Sequence, residues 1–182
     1  VKAAAITYLE GYLWDPPKAK DAFVKAAEIA RRAGRKVALT LSDAFCVDRH
    51  RDSLLELIRR QVDILFANEA EIKSLYQTAT FDDALHAVRD DCALAVLTRS
   101  AAGSVVVEGD DVHVVEAFPV DKVVDATGAG DLFAAGFLAG FTQGREVADC
   151  ARMGALAAAH IIRQVGARGI RPFHEIAREN GF

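Results

Sequence analysis

Residues 123–140 read VVDATGAGDLFAAGFLAG, where Gly128, Ala129 and Gly130 lead directly into Asp131 and then into an unbroken apolar stretch from Leu132 to Phe141. A helix beginning near Gly128 would expose unpaired backbone N–H groups, and residues with little or no side chain let an anion approach within hydrogen-bonding distance of them. Asp131 would sit in the first turn, where the helix dipole favours a carboxylate by about 0.3–1 kcal/mol. Two readings stay open at this point. The acid could simply suit a helix start while the small residues allow close packing, or the stretch could be an anion cradle with a base beside it. The apolar run argues for a buried helix that holds Asp131 on a rigid support, which favours a site.

Such a cradle has to be carried by a scaffold. Short β-favouring runs alternate with helical ones along the chain. Residues 3–10 (AAAITYLE) read as a buried strand. Residues 16–34 carry Phe23, Ala26, Ala27 and Ala30 at helical spacing, with Pro17 near the start and Gly34 at the end. KVALTLS (36–42) and VDILFAN (62–68) read as buried strands on either side of a helix over 48–60. Two short helices (69–76 and 81–90), a strand at 92–100 and a hairpin centred on the EGDD of 108–111 follow. The last third reads as helical: 130–143, 146–165 and a closing segment after Pro172. Crossovers of this length imply a parallel sheet with apolar strands, and ligands of such sheets bind beyond the carboxyl ends of the strands. The loops after residue 67, after residue 98 and before the helix of Asp131 therefore carry the interest. No linker or internal repeat divides the chain, so a single α/β domain over 1–182 is expected.

Composition removes several alternatives. The chain has 182 residues, 52% of them hydrophobic and 26% charged, as expected for a globular protein. A net charge of −4 with scattered basic residues gives no footprint for nucleic acid. The longest apolar run is about half a bilayer span, so a cytoplasmic protein without a membrane partner is expected. Cys46, Cys92 and Cys150 have no disulfide or zinc spacing and read as buried thiols. A dinucleotide fingerprint would need glycine where Phe133 stands, and no Gly-Lys-Ser/Thr of a Walker A loop occurs. His50-Arg51-Asp52 resembles a protein-kinase catalytic loop by accident, since Leu57 stands in place of the required Asn.

DATGAGDLFAAGFL resembles the C-terminal signature of the ribokinase/PfkB family of carbohydrate and nucleoside kinases. VDILFANEAEIKSLY resembles that family's Asn-x-x-Glu segment, and AVLTRSAAGSVVV its Thr-x-Gly-x-x-Gly segment, in the same order. The resemblance implies a ribokinase-like three-layer α/β/α sandwich with a mostly parallel central sheet. It makes Asp131 the base that takes a proton from the attacking hydroxyl, and Gly128, Ala129 and Gly130 donors to the transferring phosphoryl. Asn68 and Glu71 would hold nucleotide phosphate and Mg²⁺-bound water, and Thr98 and Gly103 the nucleotide side of ATP. Asp125 and Thr127 match positions that bind a monovalent cation such as K⁺ in potassium-activated members, with the turn 166–169 adding carbonyls. Ser100 departs from the family glycine. From the residues alone, Asn68 and Glu71 read equally as a capping box, and Asp125 as a turn cap.

VALTLSDAF, VDILFANEAE and ARMGALAAAHIIRQVGA look closer to adenosine kinases, which implies a nucleoside acceptor, with a sugar such as ribose or fructose as the alternative. A nucleotide-binding module without catalysis is the rival from another class. The chain has no initiator Met, and the resemblance implies the C-terminal half or more of a longer kinase, lacking its lid; oligomeric state is not indicated. His160 reads as a packed residue, Trp14 as a loop anchor, and Ser42 and Asp43 as strand-end residues that could face ligand.

Overall fold

The computed structural model describes residues 1–182. Its strands are β1 (Ile6–Glu10), β2 (Lys36–Thr40), β3 (Ile64–Asn68), β4 (Leu94–Thr98), β5 (Ser104–Glu108) and β6 (Asp111–Val115), and they form a six-stranded sheet in that order. The helices are α1 (Pro17–Arg32), α2 (Ala44–Gln61), α3 (Glu69–Tyr76), α4 (Phe81–Asp91), α5 (Ala129–Thr142), α6 (Val147–Ile161) and α7 (Phe173–Glu179). β1 to β4 pair in parallel, in registers that include Leu9 with Leu39, Ala38 with Ile64 and Leu65 with Ala95. The mostly parallel sheet implied by the resemblance is present. Crossovers between sequential parallel strands are right-handed, so α1 to α4 lie on one face of these strands.

The chain forms two compact units: Val1–Thr98 with Val107–Val112, and Arg99–Val106 with His113–Phe182. It passes between them inside or beside β4, β5 and β6, which is why no linker composition marks the division. In the first unit Val37, Leu39, Leu41, Leu54, Ile58, Ile64, Leu65, Ile72, Leu75 and Leu97 are fully buried. Each such aliphatic side chain removed from water contributes about 1.5–3 kcal/mol. β2, β3 and β4 are buried almost throughout, as their unbroken apolar runs require, whereas in β1, the first strand of this chain, Leu9 is the buried residue. The strand read over 3–10 is present and shorter, Ile6–Glu10.

In the second unit α5 and α6 approach almost backbone to backbone. A Cβ on Gly136 would lie 2.6 Å from the Met153 carbonyl oxygen, and one on Gly154 would lie 2.7 Å from that of Phe133. Only glycine admits this spacing, and Phe133, Phe137 and Ile161 are buried around it. α5 is thus a firm support for its own first turn.

Candidate active site

In the first unit the strand ends bring polar groups together. Asn68 and Thr98 close β3 and β4 as register partners. Asn68 is the N-cap of α3: its Oδ1 accepts from the Glu71 N–H at 2.9 Å, and Glu71 Oε2 accepts from the Asn68 N–H at 2.8 Å. Asn68 Nδ2 also donates to Glu71 Oε1 at 2.6 Å. This is a capping box, and it spends one lone pair on each oxygen of Glu71. Glu71 is only 5% exposed, and burial, with Asp43 and Glu10 adding like charge, pushes its carboxyl above the usual range although the Asn68 N–H opposes the shift.

Ser42 adopts a φ of +66° and donates to the Glu10 carboxylate, while the Asp43 side chain accepts from the Cys46 N–H and caps α2. That cap starts α2 at Ala44, four residues before the helix read from sequence at 48. Tyr12 and Phe45, which follow β1 and β2, are 59% and 74% exposed. Sequence reading passed over both; the signal available was an aromatic just beyond the carboxyl end of a parallel strand.

The second unit holds the turn before α5. Gly128 has a φ of +79°, and a Cβ there would meet the Ala167 Cβ at 2.6 Å. Its left-handed backbone ends the turn and opens the helix. The Leu132 N–H donates to the Gly128 carbonyl and the Ala129 N–H to that of Ala126, at 2.9 and 3.1 Å. The N–H groups of Gly130 and Asp131 are then the unpaired donors of the first turn. Of the three expected cradle residues, Ala129 already has an acceptor within the turn. Gly130 differs from the other glycines named here: its φ is not in the left-handed region, and a Cβ would meet nothing within 4 Å. No packing or backbone demand inside the chain calls for glycine at this position. Asp131 is exposed in the same turn.

Asp125 stands two residues before Thr127 and uses both oxygens. Oδ1 accepts from the Thr127 N–H and Oδ2 from the Gly166 N–H, each at 2.9 Å. A hydrogen bond from the Thr127 side chain first, then those from the Gly166 and Thr127 N–H groups, hold its carboxyl down at about 2. The bond to Gly166 was not legible in the sequence, because the two residues lie far apart in the chain.

On the nucleotide-side segment, Gly103 has a φ of +83° and its Cβ would lie 2.1 Å from the Val115 carbonyl oxygen. Ser100, standing where the family has glycine, adopts a φ of +51°. The loop keeps a left-handed path at that residue, at a strain of about 1–2 kcal/mol.

Other residues do structural work. Trp14 is buried and donates from Nε1 to Ser53 Oγ at 2.9 Å, as a loop anchor should. His50 interrupts the helical dihedrals of α2 and pairs with Asp15 at 2.7 Å. His160 is half-buried in the last turn of α6, where burial first and then Arg171 and Arg163 lower its pKa. All three cysteines are free and buried, and burial raises Cys92 and Cys150 to about 11. No helix is long and apolar enough to cross a membrane.

Comparison with known proteins agrees with this picture. The model of the pfkB family of carbohydrate kinases matches residues 1–173. The chain is 30% identical to an adenosine kinase of Dictyostelium discoideum over 180 residues, covering 92% of this chain and 52% of that one. It is 32% identical to a cytidine kinase of Thermococcus kodakarensis over 141 residues, 75% of this chain and 50% of the relative. Among solved structures, adenosine kinase from Sinorhizobium meliloti superposes with a TM-score of 0.97 at 50% identity, over 99% of this chain and 55% of that one. Aminoimidazole riboside kinase from Salmonella enterica, solved with aminoimidazole riboside and an ATP analogue, shares the fold at a TM-score of 0.82 and 20% identity, over 97% and 63% of the two chains. The chain spans about half the length of the relatives it matches.

Proposed function

Because the chain belongs to the pfkB family of carbohydrate kinases, we propose that it is the phosphoryl-transfer part of a kinase that moves the γ-phosphoryl of ATP to a primary hydroxyl of a ribose-containing acceptor, adenosine first. The observation that carries the reading is Gly130. In a helix interior glycine costs up to about 1 kcal/mol relative to alanine, and here no neighbour within 4 Å requires it. The open space over its N–H group is what an approaching phosphoryl oxygen needs.

In this reading the N–H groups of Gly128, Gly130 and Asp131 hold the transferring phosphoryl oxygens. Asp131 accepts the proton of the acceptor hydroxyl as its oxygen bonds to phosphorus and the bond to the β-phosphate oxygen breaks. Asn68, Glu71, Thr98 and Gly103 serve the nucleotide. Each Glu71 oxygen keeps one lone pair beside its bond to Asn68, and no cluster of three metal-ligating side chains is present. That donor set fits Mg²⁺ held through its water shell rather than by a protein cage. When bound, Mg²⁺ neutralises charge developing on the phosphates. The Asp125 carboxylate is ionised and has no basic side chain acting on it, so with Thr127 it fits one oxygen ligand of K⁺.

The test is Asp131→Asn in the complete protein, assayed for ADP formation across adenosine, cytidine, ribose and fructose. Turnover should fall by roughly 10²–10⁴-fold with MgATP binding retained. Retained turnover refutes Asp131 as base. Wild-type turnover only with a sugar overturns the acceptor, and ATP binding without turnover on any acceptor would favour a binding module.

A further inference from the structure

The side of the first unit opposite the carboxyl ends of its strands carries charge of both signs, kept apart. β1 to β4 are parallel, so their amino ends share that side with the C-termini of α1, α2 and α4. At its β1 and β2 end, Arg31 in the last turn of α1 donates to the Arg60 carbonyl at the end of α2, and Arg35 donates to the Lys2 carbonyl at 3.3 Å. Both guanidinium groups bond main-chain oxygens, and neither they nor the Lys2 ammonium make an ion pair. The other arginines at this end are paired inside the unit, Arg32 with Glu28, Arg59 with Asp91 and Arg60 with Glu56. At the β4 to β6 end, the Gly109 N–H donates to the Ala93 carbonyl at 3.1 Å, which sets the tip of the β5–β6 hairpin beside the end of α4. Asp90, Glu108, Asp110 and Asp111 lie there, all exposed and none in an ion pair. Arg89 is the one lysine or arginine of α4 and the hairpin tip, and it is half-buried. Helix dipoles account for the basic residues that end α1, but they disfavour a carboxylate in the last turn of α4, where Asp90 stands.

β2 and β5 are three strand spacings apart in the sheet, about 14 Å, which exceeds the Debye length of about 8 Å at physiological ionic strength. The two groups therefore do not cancel, and the face presents a positive half and a negative half. A polyanion is repelled by the acidic half and a basic partner by the other. A second copy turned about a two-fold axis perpendicular to the face sets each half opposite its complement, with one surface used twice. We propose that this face is an interface between two copies of the protein, in which Lys2, Arg31 and Arg35 of each copy meet Asp90, Glu108, Asp110 and Asp111 of the other. Exposed charges of this kind set encounter rate and register more than tight affinity, so the association is reversible and salt-sensitive. It leaves uncovered the carboxyl ends of the strands, where ligands of such sheets bind, and it does not depend on the reading of the phosphoryl cradle.

The experiment is sedimentation velocity of the complete protein at about 0.1 M and about 1 M NaCl, between which the Debye length falls from about 10 to about 3 Å. Wild type is compared with a basic-half reversal (Lys2→Glu, Arg31→Glu, Arg35→Glu) and an acidic-half reversal (Asp90→Lys, Glu108→Lys, Asp110→Lys). Wild type should associate at the lower salt, with Kd raised roughly 10-fold or more at the higher. In a protein already paired through another surface, the same step is read as a doubling of that mass. Each reversal alone should lose the association, because both contacts then oppose like charges. An equimolar mixture of the two reversals should recover it, because both contacts attract again. Arg35→Gln and Glu108→Gln only remove charge, and each should weaken the association by less, which keeps the test decisive if a reversal fails to fold. Absence of salt-sensitive association in wild type overturns the interface, as does association that survives either reversal. A mixture that stays apart overturns the two-fold pairing.

Discussion

Gly130→Ala separates the cradle reading from every packing account of the same glycine, because the two predict effects of opposite sign. Beyond its chain neighbours and the backbone of its own helix, the ideal Cβ at residue 130 has no heavy atom within 4 Å, and the backbone there does not require a left-handed φ. An added methyl therefore meets no clash, and alanine in place of glycine should stabilise the folded chain by up to about 1 kcal/mol, less at a helix start than in its middle. For a chain of this size that corresponds to a rise in Tm of no more than about 2–4 °C. The same methyl projects into the space over the unpaired N–H groups and keeps a phosphoryl oxygen from them. Losing one such preorganised donor costs roughly 10²–10³-fold in kcat. The assay is thermal unfolding beside steady-state ADP production with saturating acceptor. Gly128→Ala is the internal contrast: left-handed strain and the 2.6 Å approach to Ala167 make it destabilising as well as inactivating. A Gly130→Ala protein that is at least as stable as wild type and inactive bears the reasoning out. One that keeps full turnover refutes the cradle, and one that loses stability by more than about 1 kcal/mol shows that the space over residue 130 is filled.

Two further expectations concern stability. Ser100→Gly relieves a φ of +51° but adds unfolded-state freedom of about 0.4–1 kcal/mol, so urea unfolding should show a gain of between about 0 and 1.6 kcal/mol; a loss would mean that the serine side chain is needed where it stands. Burial raises the Glu71 carboxyl above its ordinary 4.5, so the folded state binds the proton more tightly than the unfolded state. Stability should therefore fall as pH rises from 4.5 through the raised value, and Glu71→Gln should abolish that slope in unfolding curves taken from pH 4 to 7. A slope that survives in Glu71→Gln assigns it to other groups.

Much of the scaffold was legible because each strand and helix announces itself locally. KVALT and ILFAN are apolar runs of strand length, and α1 shows its buried stripe of Phe23, Ala27 and Ala30 between a proline start and a glycine stop. The capping box of Asn68 and Glu71 spans only three residues, so spacing alone allowed it. α2 was read too short because Asp43, its cap, sits behind Ser42 in a left-handed turn that composition does not mark.

The sequence by itself determined the order of strands and helices and the local anion-binding form of GAGD, since both depend on residues near one another in the chain. Tertiary structure alone decided that α5 and α6 meet at Gly136 and Gly154, that Gly130 faces open space, and that Asp125 reaches Gly166. Each of these is a relation between segments far apart in the chain. Which surface a glycine faces, and which N–H a carboxylate finds, depends on how the chain returns on itself, and no local pattern records that return.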